Sequence, residues 1–519
     1  MNDVRSILLV LLIPLFHQQS VCDGWNVGVG GNSARNGLSD RDGPALPLMV
    51  WNEGVTAVIS QQAVIEGNTV VMARIQDLND VLHGTVIVAQ DLFTGDTLWT
   101  TELPVDFEST DWRSRVSAFR DGQVYATRAG NTNASYLYAL DGTTGAQVWQ
   151  SEALITETST EGGTFVGNGD LITTGVNSVV RISAVDGSTV WETARSCPTS
   201  GGCDPVIFGE RVYLWEAGGF GPVITVFDVT DGSRLFSSEG IGGGLIQQVA
   251  PFVGPDGTVY APRTQNNAAT DFLVALEDTG SGFSERWRVP LGFVPFASFG
   301  VGPDGSVYSY SREYRVIRIE PVTGAVIDSS EILVSDFYQP RMAIGAGGTI
   351  FVTNGGFSQG ALYAFQPDLQ RFWDPETIVN VNVGGPALGG GKFSGGGVLI
   401  VCGVGTDVRA YRYDPTSVED DRTARPEELG LYQNYPNPFN PTTSILFRLP
   451  EGGNVSLGVY DMLGREVSVL ADGFLGRGRH EVVWDGSKAA SGSYIYRLTV
   501  TGADGSVTFR QSKRLLLLK

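Results

Sequence analysis

Apolar and polar residues alternate along most of this chain in runs of four to eight, and Gly, Asp, Asn and Pro punctuate the runs. A period of two interrupted by turn residues predicts short, half-buried strands. The segments AFRDGQVYAT (118–127), FVGNGDLITT (165–174), FVGPDGTVYAP (252–262) and VGPDGSVYSY (301–310) each read as strand, tight turn, strand. Their Asp-Gly and Gly-Asp pairs supply the positive φ that a two-residue hairpin demands.

A second hairpin follows each of these and closes on a large ring. The clearest copy is LYALDGTTGAQVW, ending at Trp149, where Thr-Gly turns the third strand into the fourth. Related units end at Trp99, Trp191, Phe236 and Trp287, and weaker ones at Ile327 and Trp373. The intervals between these ends are 50, 42, 45, 51, 40 and 46 residues, the length of one four-stranded propeller blade. Residues 384–414 then supply three strands without a fourth, and ALPLMVW, ending at Trp51, supplies the missing one. Pairing the two would hide two open edges. The expected architecture is therefore all-β: an eight-bladed β-propeller whose N-terminal strand closes the last blade, with a seven-bladed ring as the rival. Trp51, Trp99, Trp149, Trp191, Phe236, Trp287 and Trp373 are expected to dock neighbouring blades.

Beyond a polar, Pro-containing stretch at 414–428, which reads as a linker, the alternation resumes as ILFRL, VSLGVYDM, EVSVL, HEVVWDG, YIYRLTV, SVTFR and KRLLLL. Seven short strands in under a hundred residues fit an immunoglobulin-like β-sandwich. At the other end, Arg5 and the apolar run ILLVLLIPLF have the length of a signal peptide, not of a membrane span. The expected domains are a signal peptide at 1–22, a propeller at 23–413, the linker at 414–428 and the sandwich at 429–519. No transmembrane segment is expected in the mature chain.

Composition sharpens this. A formal net charge of −21 disfavours nucleic acid as a partner, and 68 glycines agree with many tight turns. Of four cysteines, Cys197 and Cys203 lie six apart in SCPTSGGCDP and form a candidate disulfide, Cys22 borders the signal peptide, and Cys402 sits in an apolar strand. The three histidines, His17, His83 and His480, are scattered, which makes triad catalysis or a His-rich zinc site hard to build. Asp141, Asp186 and Asp231 have turn-forming work in the repeats. No residue is nominated as catalytic, cofactor-binding or metal-binding.

Two resemblances rest on these motifs. The repeat, with the lead-in GWNVGVGGNSARNGLSDRDGP (24–44), resembles that of pyrroloquinoline-quinone-type (PQQ-like) propellers. The tail is similar to the type A C-terminal sorting domain of type IX secretion substrates. It carries the hook Tyr435, Pro436, Asn437, Pro438, Phe439, Asn440 and Pro441, then Gly464 and Arg465, Gly492 and Tyr494, and the apolar end between Lys513 and Lys519. The resemblance implies export by the type IX secretion machinery, and a secreted or outer-cell-surface location. The function expected is a binding or scaffold protein for a protein or glycan ligand. Alternatives are a quinone- and Ca²⁺-dependent dehydrogenase, which the missing adjacent-cysteine pair disfavours, and a glycan-directed adhesin or lyase using Trp112, Trp215, Phe220, Tyr310, Tyr314 or the 293–299 stretch, residues that fit a blade core better.

Overall fold

The computed structural model describes residues 24–412 and 430–517, apart from connecting stretches of eight residues or fewer. The signal peptide, the linker, Tyr435–Pro438, Lys519, Cys197, Cys203, His17, His83, Trp112 and Phe220 lie outside the described residues. The chain divides into two compact units, Met1–Asp414 and Pro415–Lys519. Every named element is a β-strand.

In the first unit the described strands form eight antiparallel sheets in chain order. The second is representative: Arg113–Arg120, Gln123–Ala129, Ser135–Asp141 and Gln147–Ile155 lie side by side in sequence order. Asp121 (φ 53) and Gly122 (φ 75) make its first hairpin, as the Asp-Gly pair requires. The first sheet has five strands, because Ala57–Val58 and Val64–Glu66 both pair with Thr69–Ile75. The eighth is discontinuous in sequence. Pro386–Gly389, Val398–Cys402 and Asp407–Arg412 are completed by Met49–Gly54, antiparallel to Asp407–Arg412 with Trp51 opposite Ala410. That strand starts later than ALPLMVW suggests and continues past Trp51 to Gly54.

Between sheets the core is built from alternate residues of the middle strands, such as Val124, Ala126, Leu137 and Ala139 in the second sheet, all buried. Burial on both faces is what the apolar runs of these strands provide.

The second unit has a three-stranded sheet (Gly430–Leu431, Thr442–Leu449, Gly478–Asp485) and a four-stranded one (Glu466–Leu475, Gly453–Asp461, Gly492–Thr501, Val507–Leu517). SVTFR and KRLLLL are one strand and not two, because no turn residue separates them and the ladder to Gly492–Thr501 runs on through Ser512. Trp484, Tyr496, Phe447 and Leu515 are buried in one apolar cluster.

Candidate functional site

The repeat's closing rings meet the next sheet in one recurring way. Trp51, Trp99, Trp149, Trp191 and Trp287 each lie on the glycine that turns the third strand of the following sheet into the fourth: Gly95, Gly145, Gly187, Gly232 and Gly324. Those glycines sit at φ between 70° and 77°, and a Cβ on any of them would fall 2.5–2.7 Å from the indole ring. Each indole N–H donates, at 2.8–3.0 Å, to the carbonyl three residues before its glycine: Leu92, Gly142, Ala184, Val229 and Pro321. Stacking and a donated hydrogen bond together fix the angle between neighbouring sheets. Trp51, from the eighth sheet, docks on the first sheet in the same manner.

Three junctions depart from this. At the fourth, Phe236 has no N–H to give and packs edge-on against Phe283 at 5.4 Å, with the Arg211 guanidinium 5.5 Å above it. At the sixth, Ile327 is about half exposed, and the facing turn has Leu369 (φ 61) in place of glycine. At the seventh, Trp373 is buried against Phe351 and Tyr411, and its N–H has no hydrogen-bond partner among the described residues. Trp373 also lies outside the fourth strand, which is Glu376–Val379. Pro375 cannot donate to the ladder, and the strand begins after it.

The turn carboxylates cap their own turns. Bonds from the Thr144 hydroxyl and backbone N–H hold Asp141 below the usual carboxylate range, and Ser188 and Ser233 do the same for Asp186 and Asp231. Trp215, Tyr310 and Phe299 are buried core side chains, which removes them as sugar platforms, whereas Tyr314 is 41 % exposed at φ 59.

The lead-in is the part that touches most of the fold. Trp25 O accepts from Ile65 N in the first sheet, and Asn26 O from Phe119 N in the second. The Ser33 hydroxyl bonds Phe165 O in the third sheet, and Ser33 O takes Ile207 N in the fourth. Ala34, Asn36, Gly37 and Asp42 carbonyls then accept from Val253, Val301, Ile344 and Gly397, in the fifth through eighth sheets. From the second sheet to the seventh these partners lie on the first strand of their sheet. Ile65 is on Val64–Glu66 of the first sheet, and Gly397 immediately precedes the second strand of the eighth. Gln62 ties the same region together, accepting from Gly30 N and donating to Met342 O and Pro386 O of the seventh and eighth sheets. Among the described residues no group of three or more His, Cys, Asp or Glu side chains is placed to hold a metal.

In the second unit Phe439 of the hook lies beside the last strand. Phe439 N donates to Leu516 O at 2.9 Å and its ring meets Trp484 at 5.3 Å. Asn434 N donates to the Tyr496 hydroxyl, and the Tyr494 hydroxyl to Ala490 O. Gly464 (φ 81) turns into Arg465, whose backbone and side chain both bond Asp461. Lys513 is partly buried on the long last strand, and Gly492 opens the strand beside it.

Comparison with known proteins agrees with both halves. A family profile described as outer membrane protein assembly factor BamB, of PQQ-like repeats, matches residues 133–281, and one described as secretion system C-terminal sorting domain matches residues 433–509. No curated protein matches. Among solved structures, BamB from Moraxella catarrhalis is 15 % identical, with 72 % of this chain and 99 % of that chain covered and a TM-score of 0.41. The Dos1 propeller is 12 % identical, with 72 % and 96 % covered and a TM-score of 0.46. The quinohemoprotein alcohol dehydrogenase ADHIIG from Pseudomonas putida HK5 is 13 % identical, with 79 % and 83 % covered and a TM-score of 0.38. The chain is a PQQ-like repeat β-propeller protein that ends in a type IX secretion sorting domain.

Proposed function

We propose that this is a secreted or surface-displayed binding protein, built as an eight-bladed ring over residues 23–413, with a signal peptide at 1–22, a linker at 414–428 and a sandwich-like sorting module at 429–519 that the type IX machinery reads. The ring is supported by eight sheets in chain order, by Met49–Gly54 pairing with Asp407–Arg412, and by Trp51 docking on Gly95. The observation that carries the binding reading is the lead-in: from Trp25 to Asp42 the chain's own residues bond all eight sheets in turn, the second to the seventh at their first strand. The ligand is met by loops and inter-sheet surfaces.

Two experiments test it. In a type IX-secreting host, deleting residues 429–519 should leave the protein inside the cell envelope, and equal amounts outside with and without the tail would refute the sorting reading. Purified protein with added quinone and Ca²⁺ should reduce no dye from alcohols or sugars, and quinone-dependent turnover would replace binding with catalysis.

A further inference from the structure

The fourth junction, where Phe236 replaces the docking tryptophan, is also where the facing hairpin is extended, its ladder running out to Asp278 opposite Phe283 around Thr279-Gly280-Ser281-Gly282. An open cavity of 430 Å³ lies between the fourth and fifth sheets there. Its walls carry Phe208, Glu210 and Arg211 from the fourth sheet and Asp256, Glu277 and Arg286 from the fifth, with Asp278 beneath.

The groups are held in place. Asp278 pairs with Arg211 and accepts from the Tyr213 hydroxyl at 2.9 Å. Arg286 bonds Asp256 at 3.1 Å, Glu277 at 3.4 Å and the Thr258 hydroxyl at 2.7 Å. Phe208 is half buried, leaving part of its ring towards the opening. The wall therefore presents fixed acceptors and fixed donors in alternation beside an aromatic face.

That composition selects among ligands. Among the described residues the acidic side chains are not grouped to hold a metal ion, and a lining this charged is unsuited to an apolar molecule. Four carboxylates against two guanidiniums disfavour phosphate, sulfate or uronate. A pyranose offers adjacent hydroxyls that both donate and accept, and a C–H face for an aromatic ring, which matches this wall. The volume suits a short oligosaccharide and not a single small ion.

We propose that the cleft between the fourth and fifth sheets is a binding site for a neutral oligosaccharide. This deepens the binding reading, and it is tested apart from export because the full-length mature chain, purified, suffices. Isothermal titration with cellotetraose, laminaritetraose, maltotetraose and chitotetraose should give saturable binding to at least one at or below millimolar concentration. Glu210→Ala, which breaks no side-chain pair among the described residues, and Arg286→Ala should each weaken that binding about tenfold or more. Glu239→Ala, just past the last strand of the fourth sheet, should leave it unchanged. Near-UV circular dichroism identical to the parent's confirms that the variants fold. No binding to any of the four, binding indifferent to both cleft variants, or preference for a uronate oligomer over all four would overturn the proposal. None of these outcomes touches the secretion result, so the two readings fail separately.

Discussion

If the tryptophan dock sets the spacing of the sheets, a single methyl group on its glycine should be costly for two separable reasons. At Gly187 (φ 76), alanine must adopt a left-handed backbone, at about 1–2 kcal/mol. Its Cβ would also sit 2.6 Å from Cε3 of Trp149, against the roughly 3.5–4.0 Å of an ordinary carbon contact. The ring must retreat by about an ångström, which strains the 3.0 Å bond from its N–H to Ala184 O and overpacks the junction, adding about 1–3 kcal/mol. Gly122 is the internal control, since it has φ 75 and a methyl added there would meet nothing within 4 Å. Urea denaturation followed by tryptophan fluorescence should thus show Gly122→Ala losing about 1–2 kcal/mol and Gly187→Ala about 2–5. In a Trp149→Ala background, itself destabilised by about 3–5 kcal/mol, the excess of Gly187→Ala over Gly122→Ala should shrink to the share owed to the Gln150 carbonyl, whose oxygen would lie 2.9 Å from the same Cβ. An equal loss at both glycines, or an excess undiminished by removal of the ring, would refute the dock as the main source of the cost.

The remaining predictions concern pH and the sorting unit. Burial pushes the hydroxyls of Tyr125, Tyr213, Tyr260, Tyr308, Tyr310 and Tyr496 well above their ordinary value of 10.0. Stability they contribute is whole below pH 10 and lost as pH rises beyond it, so absorbance at 295 nm should show these six ionising only together with unfolding. Asp141, Asp186 and Asp231 are held below their ordinary 3.8 by hydrogen bonds, so their contribution is present above that pH and lost as acid takes the pH below it. A melting temperature flat from pH 5 to 7 that falls below about 4 is expected, and one that falls already between 7 and 5 would contradict it. Tyr496→Phe removes the acceptor of the buried Asn434 N–H, and should destabilise the second unit by about 1–3 kcal/mol in urea denaturation of the full chain.

What the sequence reveals depends on how local its cause is. The hairpins and docks are legible because an Asp-Gly pair, a Thr-Gly turn and a ring four residues later are all within one repeat. Ile327 and Trp373 are hard to place for the same reason in reverse: their surroundings are set by Leu369 and Pro375, which break the repeat's own pattern. The uninterrupted strand Val507–Leu517 reads as two segments in sequence because Arg510-Gln511-Ser512 is polar, but polarity there marks an exposed face and not a turn. The cleft at the fourth junction needs two distant facts together, a phenylalanine at 236 and a hairpin whose ladder extends to Asp278 and Phe283.

The lead-in is opaque to periodicity for a physical reason that also says how the fold is completed. It has no period because it meets a new sheet every few residues, from Trp25 at the first to Asp42 at the eighth. Each of those bonds needs its sheet already in place, and the strand that follows, Met49–Gly54, needs Asp407–Arg412. The segment before the first sheet thus finds its partners only once the sheets that follow it are formed. The eighth sheet, whose unpaired edge would otherwise invite association with other chains, stays incomplete until residue 412 is available. Nothing before Asp407 can therefore complete the unit.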